Sequence, residues 1–70
     1  IMSELKISLA AARVNARMTQ SQVAEKMHVG KQTVVRWENG KAEPKTSQAM
    51  ELCRLYNIPL DNIFLPINHT

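Results

Sequence analysis

Residues 19–40 read TQSQVAEKMHVGKQTVVRWENG, and this stretch contains two helix starts and a helix stop. Thr19-Gln20-Ser21-Gln22 fits a capping box, in which the Thr19 hydroxyl accepts from the Gln22 amide and the Gln22 side chain reaches back to the Thr19 N–H. Met18 before the cap and Val23 at the fourth helical position form a hydrophobic staple. Val23, Ala24 and Met27 supply a short apolar face, and the pattern predicts an end near Met27 or His28. A new helix follows at once. Gly30 is a tolerable N-cap, Val29 and Val34 repeat the staple, and Asn39-Gly40 closes the helix with Gly40 free to turn left-handed.

The flanking segments carry the same helical period. Upstream, Leu5, Leu9, Ala12 and Ala16 recur on one side of a first helix predicted over residues 3–15. Downstream, residues 41–45 form a loop containing Pro44. Ala49, Leu52, Cys53 and Tyr56 then match the i, i+3, i+4, i+7 template, which predicts a fourth helix over residues 46–56 closed by Asn57. A short fifth helical turn runs from Pro59 or Leu60 to Phe64 and is stopped by Pro66. No stretch alternates as a half-buried strand would. The expectation is a compact, all-α, five-helix domain over residues 2–70, with Ile1 ahead of Met2 read as a cloning remnant.

Composition narrows the function. A chain of 70 residues with 44% apolar and 21% charged residues suits one small globular domain and no large substrate cleft. Cys53 is the single cysteine, so no internal disulfide framework is expected, and no metal site or cofactor is called for. Two His, one Cys and no paired carboxylates give no acid–base or nucleophilic set, so an enzyme is not expected. With no apolar run of spanning length and no signal pattern, the expected setting is the cytoplasm of a bacterial cell. The net charge is +3, and its placement is uneven. Lys26, Lys31, Arg36, Lys41 and Lys45 face only Glu38 and Glu43 across residues 26–45, whereas the remainder balances. Clustered positive charge on a small domain is a footprint for a polyanion.

Two short helices joined by a tight turn, over residues 20–39, have the layout of a helix-turn-helix, in which the first helix braces the second against a major groove. At about 100° per residue, Val34, Trp37 and Glu38 fall on one side of the second helix. Gln32 and Arg36 fall on the other, flanked by Thr33 and Val35, with Lys31 at the tip. Gln pairs with adenine N6 and N7, Arg with guanine O6 and N7, and Val or Thr methyls meet a thymine methyl.

The run from Met18 to Met27, followed by Val34-Val-Arg-Trp-Glu-Asn-Gly-Lys-Ala-Glu-Pro44, resembles the Cro and lambda-repressor-like (Xre-type) helix-turn-helix family. The shared features are Thr19-Gln20 opening the second helix, Ala24 within it, Trp37-Glu38-Asn39-Gly40 closing the third, and Pro44 before the fourth. The resemblance covers residues 5–64. It implies double-stranded DNA as the partner, read in sequence-specific fashion by a transcriptional regulator, most simply a phage or bacterial repressor. It places Lys31, Gln32, Thr33, Val35 and Arg36 at base-facing positions. It gives Gln20 to a phosphate beside the N-terminus of the second helix, and Asn39 and Lys41 to the DNA backbone on the other side. Arg17 and Lys45 rank below these as phosphate contacts. The family often carries Gly where Arg17 and His28 stand; a left-handed backbone there strains Arg17 more than His28.

Arg13 lies four after Leu9 and Glu38 four after Val34, so both point partly inward, and a buried charge needs a partner. The resemblance pairs the same two positions. A structural ion pair, Arg13–Glu38, is therefore expected between the first and third helices. Trp37, Cys53 and Tyr56 read as core residues. A single module makes few DNA contacts, so a homodimer on an inverted repeat is expected. Ile63, Phe64, Leu65 and Ile67 form either its interface or a cap on the core. A rival reading is a protein-interaction module, such as an antitoxin or adaptor, which would present an apolar outer face on the third helix.

Overall fold

The structure, a computed structural model, describes residues 6–65. A short strand β1 (Ile7–Ser8) leads into α1 (Leu9–Asn15), α2 (Gln20–Met27), α3 (Lys31–Glu38) and α4 (Thr46–Tyr56). A 3-10 turn (Leu60–Asn62) and a second strand β2 (Ile63–Phe64) complete the described fold. Leu9, Ala12, Val23, Ala24, Val34, Trp37, Leu52, Cys53, Tyr56 and Ile63 form one buried cluster to which all four helices contribute. All four apolar positions predicted for the fourth helix, Ala49, Leu52, Cys53 and Tyr56, are buried.

Two expectations need correction. The described fold has four α-helices, not five. The predicted fifth is a single 3-10 turn after Pro59, and Ile63 and Phe64 leave it in extended conformation. Those two residues pair in parallel with Ile7 and Ser8, in the register Ile7↔Ile63 and Ser8↔Phe64. Two residues are too few to show alternation, so the strands left no period in the sequence. What sets them is packing: Ile63 is buried in the core and Ile7 packs against it, and β-branched side chains favour extended backbone. The first helix also starts later than predicted. Ser8 caps it, its hydroxyl accepting from the Ala11 amide at 3.0 Å, and Lys6 to Ser8 precede it without helix. The part of that prediction covering residues 3–5 lies outside the described residues, as does Ile67 of the apolar tail.

The joints explain how four short helices fit around so small a core. Each helix ends in a Schellman motif, with the residue after the cap turned left-handed: Arg17 at φ 60°, His28 at φ 59°, Gly40 at φ 73° and Asn57 at φ 56°. The paired closing bonds are present each time. They run from Met18 N to Arg13 O, Val29 N to Ala24 O, Lys41 N to Arg36 O and Ile58 N to Cys53 O, with the inner bonds from Arg17, His28, Gly40 and Asn57. In three of the four, the next residue is apolar and packs on the core: Met18, Val29 and Ile58. The helix starts are equally well marked. Thr19 and Gln22 form the predicted capping box, with bonds of 3.0 and 2.8 Å, and the Lys45 N–H donates to Gln48 Oε1 at 2.8 Å.

Left-handed backbone costs a β-carbon-bearing residue about 1–2 kcal/mol, and only part of this returns as unfolded-state entropy when Gly takes its place. Arg17 is exposed. Arg17→Gly should therefore stabilise the domain by about 0.5–1 kcal/mol and raise Tm by a few degrees, as read by thermal unfolding. An unchanged or lower Tm would show that the Arg17 backbone is not strained.

Candidate nucleic-acid interface

The orientation of α3 decides what this surface can do. Val34 and Trp37 are 1% and 3% exposed and anchor the helix to the core. Lys31, Gln32 and Arg36 are exposed, and Thr33 and Val35 flank them half-buried. The outward face is thus an amide and two cations edged by small apolar groups. α2 lies against α3 in the most extensive helix–helix contact of the fold, and Gly30 opens α3 in extended conformation with no side-chain cap bond.

The end of α3 is tied down by Glu38. Its side chain is 6% exposed and pairs with that of Arg13, 16% exposed. Arg13 Nε donates to Glu38 Oε2 at 2.7 Å and Nη2 to Oε1 at 3.4 Å. Arg13 Nη1 donates to the Met18 carbonyl at 3.0 Å, fixing the α1–α2 joint as well. Gln20, the first residue of α2, donates from Nε2 to Glu38 Oε1 at 3.0 Å. One carboxylate therefore gathers α1, α2 and α3. Tyr56 of α4, 7% exposed, lies near the same pair. Burial, and then the charge of Glu38, push its phenol up to about 12 from an ordinary value near 10, against the opposing effect of Arg13.

These bonds place one part of the predicted site: Gln20, at the start of α2, meets Glu38, the last residue of α3, and Asn39 and Lys41 follow Glu38 within three residues of the chain. The Gln20–Glu38 bond was missed in the sequence. The available signal was capacity: a carboxylate has about four lone-pair sites, and one arginine leaves some of them open when the group is buried. Asn39 and Lys41 are exposed, and Lys41 is held by its amide bonding Arg36 O at 2.9 Å. The residues predicted to be core stay inside: Trp37, Tyr56 and Cys53, whose thiol burial pushes up in pKa. Among the described residues no cluster of His, Cys, Asp or Glu could hold a metal ion, and no helix is long and apolar enough to cross a membrane.

The helix-turn-helix family profile matches residues 9–63, from the start of α1 to β2. The chain belongs to the Cro and lambda-repressor type of helix-turn-helix family. It is similar to an uncharacterized HTH-type transcriptional regulator of Methanocaldococcus jannaschii, 28% identical over 61 residues that cover 87% of this chain and 92% of the relative. It is also similar to two such regulators of Archaeoglobus fulgidus. Each is 32% identical over 53 residues, covering 76% of this chain and 75% or 76% of the relative. No solved structure matches the chain. In helix-turn-helix terms, α2 is the bracing helix and α3 the presented one.

Breaking a buried ion pair on one side strands the other charge. Arg13→Met or Glu38→Gln should each destabilise this helix-turn-helix domain by about 3–5 kcal/mol in urea denaturation, whereas the apolar pair Arg13→Met/Glu38→Leu recovers most of the loss. A loss below about 1 kcal/mol for both single variants would place the pair among surface bridges. Tyr56 gives a separate test. Because its folded pKa is raised, the neutral phenol contributes stability in full below about pH 10, and that contribution is lost as pH rises toward 12. It is the one tyrosine, so tyrosinate absorbance should titrate near 12 in the folded chain, and Tyr56→Phe should flatten the alkaline fall in stability. A midpoint near 10 would show the phenol to be solvated.

Proposed function

We propose that this protein is a sequence-specific double-stranded DNA-binding transcriptional regulator, acting as a repressor, that inserts α3 into the major groove. The observation that carries this reading is the division of α3 into a buried Val34–Trp37 face and an exposed Gln32–Arg36 face. Arg36 reads guanine and Gln32 reads adenine through bidentate bonds worth about 1–3 kcal/mol of discrimination each. Val35 and Thr33 offer methyls at the edges, and Lys31 reaches from the tip. Gln20, Asn39 and Lys41 hold the sugar–phosphate backbone and set the register of α3 in the groove. The named function of the relatives supports the same reading.

The chain acts as a single domain and as a homodimer on an inverted repeat, with half-sites about 34 Å apart. Phe64 and Leu60 are 53% and 45% exposed and border an open apolar groove of about 430 Å³. Ile63, in contrast, caps the core at 4% exposure. An antitoxin or adaptor would present apolar groups where Gln32 and Arg36 stand exposed, so the outer face of α3 favours DNA over a polypeptide.

The test is a mobility shift on duplexes selected from random sequence. Affinity should fall with salt, with a log–log slope of about −0.9 per phosphate neutralised. Arg36→Ala should relax preference at one base position, at about 1–3 kcal/mol. Lys41→Ala should weaken all duplexes alike and flatten the slope by about 0.9. Equal loss on every sequence for Arg36→Ala would refute its role as a reader.

A further inference from the structure

We propose that Glu38 is a positioning residue for DNA binding: it holds the Gln20 amide so that one N–H is spent on the carboxylate and the other is aimed at a backbone phosphate. This rests on the DNA-binding reading above, and adds to it a link between the buried ion pair and the DNA contact.

A glutamine side chain has two N–H donors on one nitrogen and a carbonyl that accepts, and the two ends are nearly equal in shape. Before binding, a free amide therefore divides about equally between its two ends, and only one suits a phosphate because carbonyl oxygen repels phosphate oxygen, so fixing the end in advance is worth about twofold in affinity. Here the choice of end is made before DNA arrives. Glu38 Oε1 accepts from Gln20 Nε2 at 3.0 Å, and a carboxylate accepts only, so flipping the amide would set two acceptors against each other. The carboxylate is itself held, because Arg13 grips both of its oxygens and its side chain is 6% exposed. Its orientation is thus fixed from α1. Gln20 remains half-buried, not sealed, and its second N–H is not used within the described structure. Gln20 meets the last residue of α3, and Asn39 and Lys41, the other two backbone candidates, stand one and three residues further along the chain.

Gln20 is neutral, so its contact adds affinity without releasing a counterion, and its loss should leave the salt slope unchanged. That separates it from Lys41. The experiment is a cycle on a duplex recovered by selection from random sequence, using wild type, Gln20→Ala, Arg13→Met/Glu38→Leu and the combined triple variant. The apolar pair keeps the helices packed, and circular dichroism verifies folding. Gln20→Ala should weaken binding about tenfold per half-site, equivalent to about 1.4 kcal/mol, at constant salt slope. The pair variant should lose at least the twofold that an unfixed amide costs, and the triple variant should be no weaker than Gln20→Ala alone. A second readout needs no unfolding-prone variant. In nitrogen-edited NMR of the wild type, the two Gln20 side-chain protons, assigned by their absence in Gln20→Ala, should be widely separated. DNA should then shift the upfield proton while the carboxylate-bonded, downfield one stays.

If wild type selects no duplex, the DNA-binding reading falls and this inference falls with it. If Gln20→Ala binds as wild type does, DNA binding stands and the positioning role is overturned. A pair variant that binds like wild type, or a triple variant that loses the product of the two effects, overturns the positioning role alone. So does a second Gln20 proton that ignores DNA.

Discussion

The Glu38 carboxylate is the point on which the arrangement of the first three helices depends. Helices of seven and eight residues are too short to persist alone in water, where marginal stability needs about 12–15 residues. They exist because they bury one face each and because their ends are fixed against one another. Apolar contact supplies the burial and turns one face of each helix inward. A buried anion adds direction at the helix ends: Arg13 from α1 and Gln20 from α2 both reach the last residue of α3.

The chain reversals work to the same end. Four Schellman closures in succession let the chain leave each helix, three of them pack an apolar residue on the core where it does so, and between α2 and α3 the next helix begins within three residues. Only one of them uses glycine; Arg17, His28 and Asn57 take the left-handed position with side chains attached. Asn and His tolerate that region better than Arg, so the strain concentrates at Arg17, between α1 and α2. It is offset there by Met18, which packs inward and lends its carbonyl to Arg13. Local strain and the polar hub are therefore neighbours, and the hub holds the strained turn closed.

Most of this was legible before any coordinates. Thr19, Gln22, Gly30, Gly40 and Asn57 announce helix ends through chemistry that depends on only a few neighbouring residues, and Ala49 to Tyr56 announces a buried face through its period. What stayed hidden was non-local. Ile7 and Ile63 pair across the whole chain over two residues each, too short a span for any pattern, and the packing that selects extended backbone at Ile63 exists only once the core does. The bond from Gln20 to Glu38 was hidden for the same reason: eighteen residues separate them, and neither side chain signals the other. The outward face of α3 was legible because helical period alone separates Gln32 and Arg36 from Val34 and Trp37. That Gln20 meets the end of α3 was not, because that depends on how α2 crosses it.

A buried ion pair stands at Arg13 and Glu38 where apolar side chains would serve. Replacing such a pair by well-packed hydrophobes is often neutral for stability, or better, because the cost of stripping water from two charges offsets much of their attraction. Stability is thus a weak reason for Arg13 and Glu38. Direction is a stronger one. A leucine at position 38 would hold α3 to the core equally well, but it could not tell the nitrogen of Gln20 from its oxygen. The carboxylate can, and it does so at the rim of the surface that faces solvent, where the orientation of one amide decides whether an anion meets a donor or an acceptor. In this fold the charges in the interior are best understood by what they impose on the exterior.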